Sequence, residues 1–173
     1  SRAASTSSST ATGTIAAIDD SIYEGNEAAI VSITGTDEPA VAVDPDDVVV
    51  TVTDNDTAGV TVAPTTAAVT EGGAGDSFTV VLNTLPTGNV IIDVAGTADV
   101  TAAPASLTFT PGNWNVAQTV TLGAVDDASV EGPENSTVAL TTNAATADAN
   151  YLAVDPDDVV VTVTDNDTAG VTL

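Results

Sequence analysis

Cysteine, histidine, methionine and lysine are all absent from this chain of 173 residues, and Arg2 is its single basic residue. Each absence excludes something. Without cysteine, no disulfide can hold the fold. Without histidine, cysteine or lysine there is no imidazole, thiol or amine to serve as nucleophile or proton carrier near neutral pH. The same absence leaves no nitrogen or sulfur side chain for the metals that prefer one. The 25 acidic residues set a formal charge of −24. A field of that sign repels phosphate backbones and anionic bilayers, so nucleic acid is not expected as a partner. No apolar run approaches the roughly 18 residues that a spanning helix needs, so no membrane insertion is expected either. The opening SRAASTSSST lacks the basic and apolar stretches of a secretory leader and reads as a Ser/Thr-rich linker or chain end.

What is present is a repeat. AVDPDDVVVTVTDNDTAGVT runs identically through Ala42–Thr61 and Ala153–Thr172. A weaker match precedes each copy: IDDSIYEGNE at Ile18–Glu27 against VDDASVEGPE at Val125–Glu134. A period near 110 residues is the size of a domain rather than of a solenoid turn. The spacing predicts one complete unit over 59–168, the C-terminal half of another over 1–58, and in 169–173 the first strand of a following unit. The chain reads as a window on a longer tandem array.

Strands are expected throughout. Runs rich in β-branched residues, with apolar and polar positions alternating, recur as VTVAP, SFTVVLN, NVIIDVA, SLTFT, QTVTLG, STVALTT and DVVVTVT. Turn-forming clusters such as EGGAGD, LPTGN and EGPEN separate them. About seven strands without a helix predict an all-β sandwich. Trp114 is expected to cover the edge of its core.

In the last strand Val159, Val161, Val163, Asp165 and Asp167 share one face, because side chains alternate. If the valines face the core, the two aspartates reach its rim. Carboxylates held there need a donor or a cation, and no lysine or histidine exists to supply one. Sorting strand ends by pole lets Glu71, Asp126, Asp127, Glu131, Glu134, Asp165 and Asp167 converge. Oxygen-only ligands in that number suit Ca²⁺. The half unit repeats the set as Asp19, Asp20, Glu24, Glu27, Asp54 and Asp56.

The order EGG, GTA, FTPG, DDxxxExxE and VTVTDND resembles the Calx-beta domain, over the whole of 59–168 and the second half of the unit before it. The resemblance implies tandem seven-stranded immunoglobulin-like sandwiches joined by short linkers, each with clustered Ca²⁺ at one pole, bound by the residues just named. The chain departs from the family pattern in three places. After GTA an acid comes early, at Asp99, with Ala103 where one is expected. Asn166 stands in the middle of DND, and Ala128 follows Asp127 where a third acid often stands.

Catalysis is not expected. Glycoside hydrolysis needs two carboxylates in different environments across a cleft, whereas these crowd one tip. The chain is therefore read as a calcium-stabilised rigid spacer or assembly module of an extracellular, bacterial surface adhesin, fibre or matrix protein. Its expected partners are neighbouring domains of the array or other copies of itself. An alternative is a carbohydrate-binding module using Trp114, Tyr23 and Tyr151, with glycan or cell surface as partner. Asp155, Asp157 and Asp158 begin the strand that ends in DND, so they belong at the opposite pole. There they either approach the acids of the preceding unit or form a solvated turn. Strands for 1–58 are expected either upstream or from another copy.

Overall fold

The computed structural model describes residues 13–31 and 48–171. The chain folds as two compact units. One comprises Ser1–Asp20 with Ala28–Val52, and the other Ser21–Glu27 with Thr53–Leu173. β1 (Glu27–Val31) and β2 (Val48–Val52) form a two-stranded sheet, which apart from Glu27 belongs to the first unit.

The second unit contains β3 (Val60–Ala63), β4 (Thr66–Thr70), β5 (Asp76–Leu82), β6 (Val90–Ala95), β7 (Val100–Ala103), β8 (Ser106–Phe109), β9 (Gln118–Ala124), β10 (Glu134–Thr142) and β11 (Val159–Thr164). Two sheets result, in the orders β4-β11-β10-β6-β8 and β3-β5-β9-β7. No helix occurs among the described residues. Seven strands were expected, and nine segments are found. The two additions are TAAVT in β4 and VTAA in β7, whose alanines are weak β-formers. Each lies next to a proline at which the chain changes sheet. Proline offers no N–H to a ladder. The chain leaves the four-stranded sheet at Pro64 and again at Pro104, both preceded by cis bonds, and enters the five-stranded one.

The core lies between the sheets and is made by alternation. In β11, Val159, Val161 and Val163 are buried while Val160, Thr162 and Thr164 are exposed. Phe78, Ile92, Phe109 and Leu140 fill the interior, and Trp114 packs half-buried against it. Tyr151 is fully buried and is therefore closed to any sugar.

Most strand pairs are antiparallel, but β4 runs parallel to β11 with Thr70 beside Thr164. The ends of these two strands therefore meet at one pole. The Glu134 end of β10 lies there too, opposite Val163. So does the end of β9, where Leu122 pairs with Asp76 and Ala124 with Val100. The opposite pole gathers Val60, Leu82, Val90 and Phe109.

Candidate metal centre

Thr70 and Thr164 end their strands side by side, and the next residues turn in over the core. The Glu71 N–H donates to the Thr164 carbonyl at 3.0 Å, which fixes the EGG turn against the start of DND. Glu71 is 6 % exposed. Gly72 follows with φ of 58°, a left-handed conformation that L side chains disfavour. A Cβ there would also stand 2.8 Å from Asn166 Nδ2.

Asp165 accepts hydrogen bonds from the Glu131 N–H on one oxygen and from the Asp167 N–H on the other, both at 2.6 Å. Carboxylate oxygens of Glu71, Asp165 and Asp167 lie within 4.8 Å of one another. Among the described residues, Glu71 Oε2 and Asp167 Oδ2 are buried without a hydrogen-bond partner. Such atoms are costly to leave unmet. The sole basic side chain, Arg2, lies outside the described residues.

Asn166, between the two aspartates, acts as a strut. Its amide donates to the Glu71 carbonyl at 2.8 Å and to Asp126 Oδ1 at 2.9 Å. An aspartate has no N–H with which to do this. The position that departs from the family pattern thus ties the two acidic loops together. Asp127 accepts from the Ser129 N–H at 2.6 Å and caps its own turn. Asp126, Asp127, Glu131 and Glu134 are exposed at the rim.

Electrostatics agree with this crowding. Burial, followed by the charges of Asp165, Asp127, Asp126 and Asp167, raises the Glu71 carboxyl above its ordinary range. Asp127, then burial and the charges of Glu134, Asp99 and Asp165, raise Glu131. Asp99 was not among the expected ligands. It begins no motif, but it lies between β6 and β7, where strand ends place it at the same pole. Its carbonyl accepts from the Val125 N–H at 2.8 Å and its carboxylate from Ser136 Oγ at 3.3 Å.

The repeated residues divide. Glu24, Glu27, Asp54 and Asp56 lie in the second unit, whereas Asp19 and Asp20 are exposed residues of the first. Asp54 reproduces the bonding of Asp165. It accepts from the Glu24 and Gly25 N–H groups at 2.9 and 2.8 Å and from the Asp56 N–H at 2.9 Å. Donation by Asp56, Gly25 and Glu24 holds its carboxyl below the usual range, against a smaller effect of burial. Among the described residues, three carboxylates converge as a metal-sized group only at Glu71, Asp165 and Asp167.

Fold and site together define an all-β sandwich with an acidic, oxygen-only tip. The family comparison is more specific. The Calx-beta domain model matches residues 6–56 and again 54–167, so the chain belongs to the Calx-beta domain family. Among solved structures it is similar to the apo form of the Calx CBD1 domain, at 17% identity and TM-score 0.47, over 65% of this chain and 100% of that one. It is also similar to the calcium binding domain CBD12 of CALX1.1, at 20% identity and TM-score 0.44, over 65% and 46%. The periplasmic chaperone SfaE is similar at 13% identity and TM-score 0.46, over 62% and 58%. No curated protein sequence matches.

Proposed function

We propose that the chain is a calcium-stabilised structural repeat, acting as a rigid spacer or assembly module in an extracellular adhesin, fibre or matrix protein. The observation that carries this reading is the pair of buried oxygens, Glu71 Oε2 and Asp167 Oδ2, which have no partner among the described residues. They stand beside Asp165 in a tip with no cationic side chain among those residues. Oxygen ligands of this kind fit a hard cation such as Ca²⁺. Glu71, Asp165 and Asp167 would hold it, with Asp126, Asp127, Glu131, Glu134 and Asp99 at the rim. A bound cation would supply the positive charge that offsets their repulsion.

The rest of the work is done by the chain. The parallel β4–β11 pair brings the two acidic turns together, Asn166 braces them, and the backbone of Glu131 fixes Asp165. Only the short Thr57-Ala58-Gly59 splice lies between the Asp54-Asn55-Asp56 end of one repeat and β3 of the next. Binding to the folded state alone stabilises it by about 2.7 kcal/mol at a hundredfold excess of ligand over Kd.

The test is thermal unfolding of the whole chain with millimolar CaCl₂ against chelator. A higher midpoint with calcium is expected. Coincident midpoints would remove the basis of the reading.

A further inference from the structure

The segment between β5 and β6 is held more firmly than a connector requires. The Asn83 N–H donates to the Gly59 carbonyl at 2.9 Å, and its Oδ1 accepts from Thr61 Oγ1 at 2.7 Å. Gly59 lies so close that a Cβ there would stand 2.7 Å from Asn83 Nδ2. Thr84 is 2 % exposed, and the Tyr151 hydroxyl meets its N–H, its hydroxyl and its carbonyl at 3.1, 2.9 and 2.7 Å. Pro86 is buried, and Thr87 donates through N–H and hydroxyl to buried Asp148 at 2.7 and 3.0 Å.

Leu85, in the middle, is directed to a different partner. Its N–H donates to the Ser21 carbonyl at 2.8 Å, and Leu85 and Ile22 form an isolated parallel β-bridge. Preceding a proline, Leu85 is restricted to extended conformations, which suit a bridge. Ser21 in turn opens the acidic loop Ser21–Glu27, whose far side is gripped by the Asp54 carboxylate through the N–H groups of Glu24 and Gly25.

We propose that the Thr84–Leu85 edge is a docking site by which one repeat takes hold of the acidic loop of the repeat before it, filled in this chain by Ser21–Glu27. The two partners come from separate family matches, 6–56 and 54–167, yet share one compact unit. The edge is fixed before contact, so little ordering entropy opposes the bond. Asn83 beside that edge bonds Gly59 of the splice and Thr61 of β3, so the tripeptide Asn83–Leu85 holds both the end of the linker and the loop upstream of it. Asp155, Asp157 and Asp158 were expected either to approach the acids of the preceding unit or to form a solvated turn. Asp158 accepts from the Leu140 N–H of its own unit at 2.9 Å, and Asp155 and Asp157 are exposed, as in a solvated turn. The partner that fits is a second Calx-beta unit with an accessible carbonyl just before its acidic turn. Ala128–Ser129, the exposed counterpart of Ser21–Ile22, is the surface that a further copy of the edge would grip.

The inference rests on the repeat reading above but needs no cation, so the experiment is done on the whole chain in chelator. Leu85→Pro removes the donor, while Leu85→Ala keeps it. Amide hydrogen exchange over Ser21–Glu27 is expected to quicken about tenfold in the proline variant, the scale of one hydrogen bond. The alanine variant should stay near the parent, with β10 and β11 unchanged in both. Unaltered exchange at Glu24 and Gly25 in Leu85→Pro, or equal loosening in both variants, overturns the dock. If the proline also loosens Thr84, the parent chain decides. A Leu85 amide protected as long as those of Glu24 and Gly25 upholds the dock, and one exchanging like an exposed loop amide refutes it. Failure of calcium to shift the melt counts against the calcium reading alone.

Discussion

Val48 and Val159 occupy the same place in two identical stretches, so substituting each in turn separates burial from sequence. Both open a VVVTV strand between DPDD and TDND. Val159 is 0% exposed, whereas Val48 is 50% exposed. Truncation to alanine removes two methyl groups. At about 0.8 kcal/mol per buried carbon, Val159→Ala loses about 1.6 kcal/mol of transfer free energy. The cavity left between two packed sheets raises the cost to about 2–3 kcal/mol. Val48→Ala loses about half the transfer contribution and opens no enclosed cavity, so it costs about 0.8 kcal/mol at most. The fall in β-propensity is shared and cancels in the comparison. A difference of about 1.2–2.2 kcal/mol is therefore expected at saturating calcium. Urea unfolding followed by Trp114 fluorescence reports the second unit, and calorimetry reports the whole chain. Equal destabilisation by the two substitutions, or a loss under about 1 kcal/mol at Val159, would refute the reasoning, because identical local sequence would then outweigh tertiary burial.

The remaining predictions concern the acidic pole and the opposite one. Glu71 and Glu131 have raised folded pKa values, so in chelator the folded state takes up protons first. Their contribution to stability is full below the ordinary glutamate range and is lost as pH rises through the folded values. Asp54 and Asp76 are depressed by donated N–H groups and act in the opposite sense, their contribution disappearing as pH falls below the ordinary aspartate range. The melting midpoint in chelator should therefore rise on mild acidification and fall on further acidification. Glu71→Gln should flatten the rise and weaken the calcium response; an undiminished rise in that variant would exclude Glu71 as its source. At the other pole, Tyr151→Phe strands the buried N–H and carbonyl of Thr84 and should cost about 2–4 kcal/mol in urea unfolding. A cost within about 0.5 kcal/mol of zero would mean that water replaces the hydroxyl.

The acidic pole was legible to different depths. Period-two alternation placed Val159, Val161 and Val163 inward and carried Asp165 and Asp167 to the rim, where they are found half-buried. Glu71 could be sorted to the same pole, but only the parallel pairing of β4 with β11 makes it a neighbour within 4.8 Å. Asp99 went unselected because its flanks, GTA and VTAAP, show weak strand character. Asn166 looked like a missing ligand because composition counts charges and does not show which group must donate a hydrogen bond.

Composition and pattern by themselves determined the all-β class, the repeat, the lack of histidine, cysteine and lysine, and the face on which the final aspartates lie. All of these follow from local rules: β-branched residues favour strands, and side chains alternate. Tertiary structure alone decided which strands are neighbours. The same twenty residues have their first strand valine fully buried in one copy and half exposed in the other. Alternation specifies which way a side chain points and says nothing of what stands opposite it. The partners that bury Val159, converge on Glu71 and dock Leu85 against Ser21 come from distant parts of the chain, brought together by the burial of apolar surface and by the hydrogen bonds that burial obliges the backbone to make.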